Sequence, residues 1–598
     1  MGNIMNLTAV RNKPSRDGYD LSQKINFTAK VGELMPVWWT PVLPTDSLRV
    51  QVNNFIRTQS LNSAAFARMR GYFDFYFVPF SQMWQHFNTA VTQMNTNLQY
   101  ASGPVISDNK ALSGQLPYFT CEQVAKYIIS LGQKKNAFGF YRSTMTCRLL
   151  EYLGYGNFYP YDPNGSQKWN WEEHPMLNNL ALSPFPLMAY QKIYADYNRY
   201  TQWERTNPST FNMNYITGDG DLNLDLMVSG FTDTFNFLDL RYSNWQKDLF
   251  HGVLPVAQYG EASVAPLGSV NINDASLLPV SSDLADMILG ISDDSSALRA
   301  VPSLPVQGST VTGEFSSGSS PTFDISGNSF TAGLSILALR RAEAAQKWKE
   351  VSLASEEDYP AQIGAHWGEK PSDFLSGMCR YLGGITSNLD INTITNTNLA
   401  DDNAALQRAT GTFNAAGGIK FDSAGQYGIV MCVFRALPIL DYTTTGVYFG
   451  TTLTDVTDFP IPEFDRIGME SVPVCRALNP ALETPSSPPI KADAYFGYAP
   501  RYIDWKTAID VSRGEFTSTL ESFVMKFNDD DLLAADSVDY PDNPNVESDS
   551  IKAGFFKVNP HTVDTLFAVD ADKADHLLCS TFFDVKVVRS LDKNGLPY

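Results

Sequence analysis

Six histidines, at positions 86, 174, 251, 366, 561 and 576, are the chain's whole supply of imidazole for acid–base or metal chemistry. They form no HExxH or HxH, and no two have a spacing suited to one metal ion. The six cysteines, at 121, 147, 379, 432, 475 and 579, stand at least 26 residues apart and make no CxxC or CxxxC. That pattern argues against a zinc or thioredoxin-like site and reads as small buried hydrophobes made in a reducing compartment. There is no GxSxG nucleophile elbow and no GxxxxGK[ST] phosphate loop. The 64 acidic residues guarantee accidental carboxylate pairs, so a pair suited to glycoside hydrolysis has almost no specificity here. Asn528, followed by Asp529, Asp530 and Asp531, lacks the alternation and terminal Glu of a calcium loop and reads as a solvated acidic turn. His251, beside Gly252 in LFHGVLP, reads as a turn histidine. These residue types predict no catalytic centre and no cofactor.

The elements that would position any site are clearer than the site. In residues 47–84, Leu48, Val50, Val52 and Ile56 fall on one face of a strand, and Arg49, Gln51, Asn53 and Arg57 on the other. Next, Tyr72, Phe73, Phe75, Tyr76, Phe77 and Val78 form an aromatic strand closed by Pro79, apolar on both faces and so predicted to be covered on both. Pro36, Pro41 and Pro44 around Trp38 and Trp39 confine that segment to edge or extended structure. YGIVMCVF (427–434) reads as a buried strand, and TFFDVKVVRS (581–590) as one with Phe583, Val585 and Val587 inward.

Residues 81–206 read as helical and loop-rich. CEQVAKYIISLG (121–132) and TMTCRLLEYLG (144–154) are short helices ending at glycine. In 183–204, Leu187, Tyr190, Tyr194, Tyr197 and Tyr200 make an amphipathic stripe behind Pro184 and Pro186. A tyrosine stripe can stack bases or sugars; packing on a sheet is the plainer reading. Residues 261–333 hold three aromatics in 73 positions, against 13% for the chain, and read as an exposed insertion. At 334–353 a helical period returns through Leu337, Arg341, Ala344, Trp348 and Val351. SVDYPDNPNVESDS (537–550) is an acidic loop.

With 598 residues, 43% hydrophobic and 18% charged, the chain is globular. A net charge of −20 argues against non-specific nucleic-acid binding by the whole surface. Arg11, Lys13 and Arg16 form the one cluster singled out as a local basic patch and candidate DNA-facing group. MGNIMNLTAV lacks the start of an export signal, Asn6 breaks the myristoylation motif, and no run of eighteen apolar residues exists. Strands at both ends with helices and loops between argue for one domain over 1–598: a mainly β sandwich closed by its own N- and C-terminal parts, most economically a jelly roll with insertions.

Several segments in a fixed order resemble the major capsid protein of the microviruses, small icosahedral single-stranded DNA bacteriophages, in particular the gokushovirus-like branch. They are FTAKVGELMPVWWTPVLPTDSLRV (27–50), YFDFYFVPFSQMW (72–84), PFPLMAYQKIYADYNR (184–199) and SILALRRAEAAQKWKE (335–350). AHWGEKPSD (365–373), YLGG (381–384), PEFDRIGME (462–470), FGYAPRYIDWK (496–506) and TFFDVKVVRSLDKNGLPY (581–598) follow. Residues 205–333 and 385–460 match nothing specific.

The resemblance implies an eight-stranded antiparallel jelly roll of viral capsid type with long helical and loop insertions. It implies a T=1 icosahedral shell around a circular single-stranded DNA genome, in a virion assembled in the host bacterial cytoplasm. The partners it implies are further copies of the chain, the packaged DNA, a small basic DNA-binding peptide, an internal scaffolding protein, a pilot protein and a host-cell receptor. The insertion at 261–333 would then be a surface protrusion contributing to host attachment. Residues 1–30 are expected as an N-terminal arm and 591–598 as a C-terminal arm, with Trp38, Trp39, Leu596, Pro597 and Tyr598 as candidate intersubunit contacts. A structural divalent cation between subunits stays open. The competing readings are a bacterial surface carbohydrate-binding protein or glycoside hydrolase, resting on the Trp/Tyr/Asn-rich composition, and a phage spike.

Overall fold

The structure, a computed structural model, describes residues 15–63, 65–92, 116–159, 179–205, 207–217, 237–258, 336–372, 376–395, 407–443, 446–477, 495–526 and 553–593, with a few short pieces between. The chain opens with strands β1 (Asp17–Asp20), β2 (Gln23–Ala29), β3 (Met35–Val42), β4 (Ser47–Thr58) and β5 (Arg68–Pro79). Helices α1 (Phe80–Met83), α2 (Phe87–Thr92), α3 (Cys121–Leu131), α4 (Arg142–Tyr152), α5 (Phe185–Ile193) and α6 (Asn214–Thr217) follow, with the two-residue pair β6 (Phe119–Thr120) and β7 (Ala181–Leu182) among them. Helices α7 (Ile336–Ala354) and α8 (Tyr359–Trp367) lead into β8 (Arg380–Asn388), β9 (Asp390–Thr395), β10 (Gln407–Asp422) and β11 (Gly428–Ile439). Short strands β12 (Tyr442–Thr443), β13 (Met469–Pro473), β14 (Tyr495–Pro500) and β15 (Val511–Ser512), interspersed with short 3-10 turns, precede β16 (Leu577–Arg589).

The long strands form two antiparallel sheets. One has the order β1-β16-β4-β10-β9 with β2 also on β16; the other runs β3-β11-β5-β8. Strands β1 and β2 occupy one edge of β16 in succession, so the N- and C-terminal strands lie side by side. From β2 to β5 the chain steps alternately between the sheets. At Leu389 it turns from β8 into β9 of the other sheet, and β10, β11 and β16 alternate again. This is the winding of a jelly roll, and it closes the sandwich with the two ends of the chain.

Alternation explains the inner faces. Strand β4 buries Leu48, Val50, Val52 and Ile56 and exposes Arg49, Gln51, Asn53 and Arg57; β16 buries Phe583, Val585 and Val587. Ring pairs bind sheet to sheet: Phe27 with Phe434 at 5.4 Å, Trp38 with Phe583 at 5.7 Å, and Phe77 with Phe421 at 4.7 Å between centroids. The aromatic strand β5 is covered on both faces, because Tyr76 on its outer side meets Tyr197 at 5.1 Å. The tight link from β2 to β3 needs Gly32. Its φ is +85°, and an added Cβ would come within 2.7 Å of Val558 Cγ1. Gly32→Ala is expected to lower stability by about 1–3 kcal/mol, read as a lower denaturant midpoint at unchanged m-value.

The short helices at 121–132 and 144–154 are found as α3 and α4, the first with a capping box between Thr120 and Gln123. The stripe at 183–204 is shorter than its period suggests. Helix α5 ends at Ile193, passes into a π turn over Tyr194–Asn198, and is buried on every side. Its tyrosines pack and bond inward rather than stack a ligand. Tyr190 donates to Leu34 O at 2.9 Å, Tyr197 to Cys379 O at 2.7 Å and Tyr200 to His251 O at 2.8 Å. Helix α7 forms where expected, yet Leu337 and Trp348 are exposed and only Ser352 and Leu353 are buried. Its stripe, broken by Arg341 and Ala344, offers too little apolar surface to drive packing.

Residues 260–349 form a compact unit of their own, and 1–259 with 350–598 form the other. The insertion expected at 261–333 lies outside the described residues apart from 262–264, as do the acidic loop 537–550 and Asn528–Asp531. The arm expected over 1–30 is corrected in its second half. Residues 17–20 and 23–29 are strands paired with β16 of the same chain, because Phe27 and Ala29 have an apolar core to enter.

Candidate binding and assembly surfaces

The two sheets differ in one respect that singles out a surface. The four-stranded sheet carries α5 and the π turn on its outside, whereas the outer residues of β4 and β16 in the six-stranded sheet stand in solvent. Register turns those residues into a grid. Arg49 lies opposite Lys420 on one side and Lys586 on the other, a row of three cations. Asn53 lies opposite Phe582, which faces Lys24, and Phe55 lies opposite Ser580, which faces Asn26. Like charges directly opposed across a ladder are destabilising.

The cations of this grid are unevenly answered. Lys586 meets Asp20 and, at 3.3 Å, Asp584. Lys24, Arg49, Arg57 and Lys420 make no ion pair with a described residue. Phe55 and Phe582 are 39% and 43% exposed on the same face, and the Arg57 guanidinium lies 5.0 Å from the Phe55 ring centre. Two shallow grooves run here. One of about 490 Å³ includes Arg49, Lys420 and Lys586; one of about 530 Å³ includes Phe55, Arg57 and Leu578.

Of the residues chosen from sequence, Arg16 sits at the rim of this face, donating to Thr45 O and Ser47 Oγ. Arg11 and Lys13 lie outside the described residues. The grid itself was missed. Its signal was the outward half of the β4 alternation, which by itself looks like an ordinary solvated strand face.

Trp38 is a correction. Its indole is 3% exposed, stacked on Phe583 at 15° and edge-on to Phe75 at 6.3 Å, so it belongs to the core of its own subunit. The prolines do place β3 at a sheet edge, but an edge strand still buries one face. Trp39 is partly exposed, with Nε1 donating to Leu153 O at 3.0 Å. Leu596, Pro597 and Tyr598 lie outside the described residues. Just before them, the chain is tied to β1: Tyr19 OH donates to Leu591 O at 2.8 Å, and Lys593 N to Asp17 Oδ2 at 2.9 Å.

A second exposed surface lies in the turns at 448–467 and 503–505. Val456 is 84% exposed, and Tyr448, Phe459, Phe464, Ile467 and Trp505 are also open to solvent in these turns, where the Trp505 ring meets Phe449 at 5.2 Å and Phe459 at 6.1 Å. Exposed apolar side chains on such turns are a candidate protein–protein contact.

The groups with chemical potential are built into the fold. His251 is buried beside Asp248, 3.0 Å from its carboxylate, with Tyr442 OH 3.1 Å away. Burial pushes the Asp248 carboxyl up, but His251 and Tyr442 outweigh it and hold it at about 2. His561 pairs with Asp564 at 2.7 Å and stacks on Phe140. Five of the six cysteines are buried, and burial pushes the Cys147 thiol up to about 12, so these thiols behave as apolar filler. Among the described residues, no three His, Cys, Asp or Glu side chains gather as a metal site, and no helix is long and apolar enough to cross a membrane.

A buried ionic cluster joins the β2–β3 link, α4 and the approach to β16. Arg148 donates to Glu33 Oε2 at 3.0 Å, to Asp575 Oδ2 at 2.8 Å and to Thr28 O at 3.0 Å, and Lys30 reaches Asp575 at 2.7 Å. Burial pushes the Asp575 carboxyl up, but Arg148 and Lys30 outweigh it and hold it well below the usual carboxylate range.

No curated protein matches the chain. A family model described as capsid protein (F protein) matches residues 9–122 and 173–597, which is most of the sequence. That family is structural rather than catalytic, and the glycoside hydrolase reading gives way to it. A two-sheet antiparallel sandwich suits such a subunit, and the chain belongs to the phage capsid protein (F protein) family.

Proposed function

We propose that this chain is the major shell subunit of a microvirus of the gokushovirus-like branch, self-assembling into an icosahedral T=1 shell around a circular single-stranded DNA genome. The observation that carries self-association is the exposed apolar surface of the turns at 448–467 and 503–505, on a chain of a capsid protein family. Heterologous contacts whose rotations close make a shell from many modest interfaces. Substituting Val456→Asp with Ile467→Asp is expected to abolish closed particles while leaving the subunit's unfolding midpoint unchanged. Normal particles from that variant would remove the cluster from the interface.

The resemblance supports the remaining parts of this reading. The insertion 261–333 faces outward and contributes to host attachment, and an internal scaffolding protein and a pilot protein take part in cytoplasmic assembly. A small basic peptide supplies most of the phosphate neutralisation, because a chain of net charge −20 offers little of it overall. The C-terminal residues reach a neighbouring subunit, where an extended segment can join a sheet edge. Deleting 591–598 is expected to block assembly without unfolding the subunit, and wild-type particles from the truncated chain would contradict this.

A further inference from the structure

We propose that the open face of the six-stranded sheet is a platform for single-stranded nucleic acid, with phosphate held at the Arg49–Lys420 end and unpaired bases stacked on Phe55 and Phe582. This rests on the shell reading and adds to it where, and by which groups, the enclosed strand is held.

Charge is the first argument. The chain carries −20, yet this face sets Lys24, Arg49, Arg57, Lys420 and Lys586 against Asp20, Asp390, Asp422 and Asp584, five cations to four carboxylates. Two of those carboxylates are engaged with Lys586. Arg49 and Lys420 face each other across β4 and β10 with no described counter-ion. That arrangement costs stability until an anion lies between them, and a phosphate supplies one.

The second argument is the pair of exposed rings. A phenyl ring left at about two-fifths exposure on a strand face offers a flat surface to a base, and the Arg57 guanidinium over Phe55 extends it. Duplex bases are already stacked on one another and present no open face to a ring, so the rings select unpaired strand. Asn26 and Asn53 flank the rings with amides that both donate and accept, which suits base edges without fixing one sequence. From Arg49 to Arg57 the strand extends about 27 Å, room for several nucleotides.

The test uses full-length, unassembled subunits and a fluorescent oligo-dT of about twenty nucleotides, within the range of known single-strand sites. Arg49→Gln with Lys420→Gln is expected to reduce the slope of log affinity against log salt by about 1.4, or 0.7 per phosphate contact. Phe55→Ala with Phe582→Ala is expected to weaken oligo-dT binding at least tenfold, with the salt slope and binding to a duplex of equal length unchanged. All four side chains stand on the open face of the sheet, so both variants should stay folded, and relief of the Arg49–Lys420 repulsion should leave the glutamine variant's unfolding midpoint at or above that of wild type. Oligo-dT affinity equal to wild type in the phenylalanine variant would overturn the proposal. So would duplex bound as tightly as single strand, or a polyglutamate peptide bound more tightly than oligo-dT, which would assign the face to an acidic protein. Closed particles from the wild-type chain keep the shell reading intact if any of these occurs; failure of the wild-type chain to form particles overturns the shell reading instead.

Discussion

Replacing Arg148 by alanine is expected to cost about 3–5 kcal/mol at neutral pH, a large share of a typical total of about 5–15 kcal/mol. The side chain is buried and touches Glu33, which has no exposure at all, together with Asp575 and a backbone carbonyl. Removing it leaves two carboxylates in a low-dielectric site with Lys30 as the remaining cation, which reaches only Asp575 through its ammonium group. The sign of the pH dependence follows from Asp575. Its folded carboxyl is held well below the ordinary value near 4, so the native state binds fewer protons than the unfolded chain over that range. The stabilisation is complete above about pH 4 to 5 and is lost as pH falls further. Denaturant titrations at pH 7 and pH 3 should show a gap between wild type and Arg148→Ala that narrows in acid. An equal gap at both values would mean that the charge of Asp575 is not what Arg148 serves.

Trp38→Ala is expected to destabilise the isolated subunit by about 3–5 kcal/mol, the range for deleting a large buried aromatic. The ring fills the space between β3 and β16 and meets Phe75 as well as Phe583, so its loss opens a cavity where the two sheets touch. The prediction separates a core residue from an interface residue. An intersubunit tryptophan would leave the subunit's unfolding midpoint in place and lower only particle yield. Trp39→Ala is the control, because that side chain is partly exposed and makes one polar contact, to Leu153 O. A larger loss of subunit stability from Trp39→Ala than from Trp38→Ala would contradict the assignment.

Local patterns were legible in the sequence where one strand face contrasts with the other. Strand β4 announces itself because Leu48, Val50, Val52 and Ile56 alternate with charged and amide residues, and β16 does the same with Phe583, Val585 and Val587. Strand β5 was legible for the opposite reason, since an aromatic run with no polar face must be covered twice. Sites built by long-range register were not legible. Arg49 becomes notable only when β10 and β16 bring Lys420 and Lys586 to either side of it, and neither strand is near β4 in sequence. The buried cluster of Glu33, Arg148 and Asp575 is hidden in the same way, although a glutamate between Val31 and Leu34 is a polar residue in an apolar setting.

The tyrosine stripe shows how period overstates length. Leu187 to Tyr200 keeps helical spacing, but the backbone widens into a π turn after Ile193 and leaves the helix at Arg199. Every side of α5 is buried up to Ile193, so the spacing of its apolar positions carries no information about where the helix stops. For Trp38, the prolines correctly indicated an edge strand, while the buried side of that edge depended on Phe583 from the far end of the chain.

The size of the purified chain, measured by sedimentation and checked by negative-stain microscopy with and without co-expressed scaffold, tests the shell reading most directly. Closed, uniform, isometric particles are the expected result. A stable monomer under every condition, scaffold included, would contradict the shell reading.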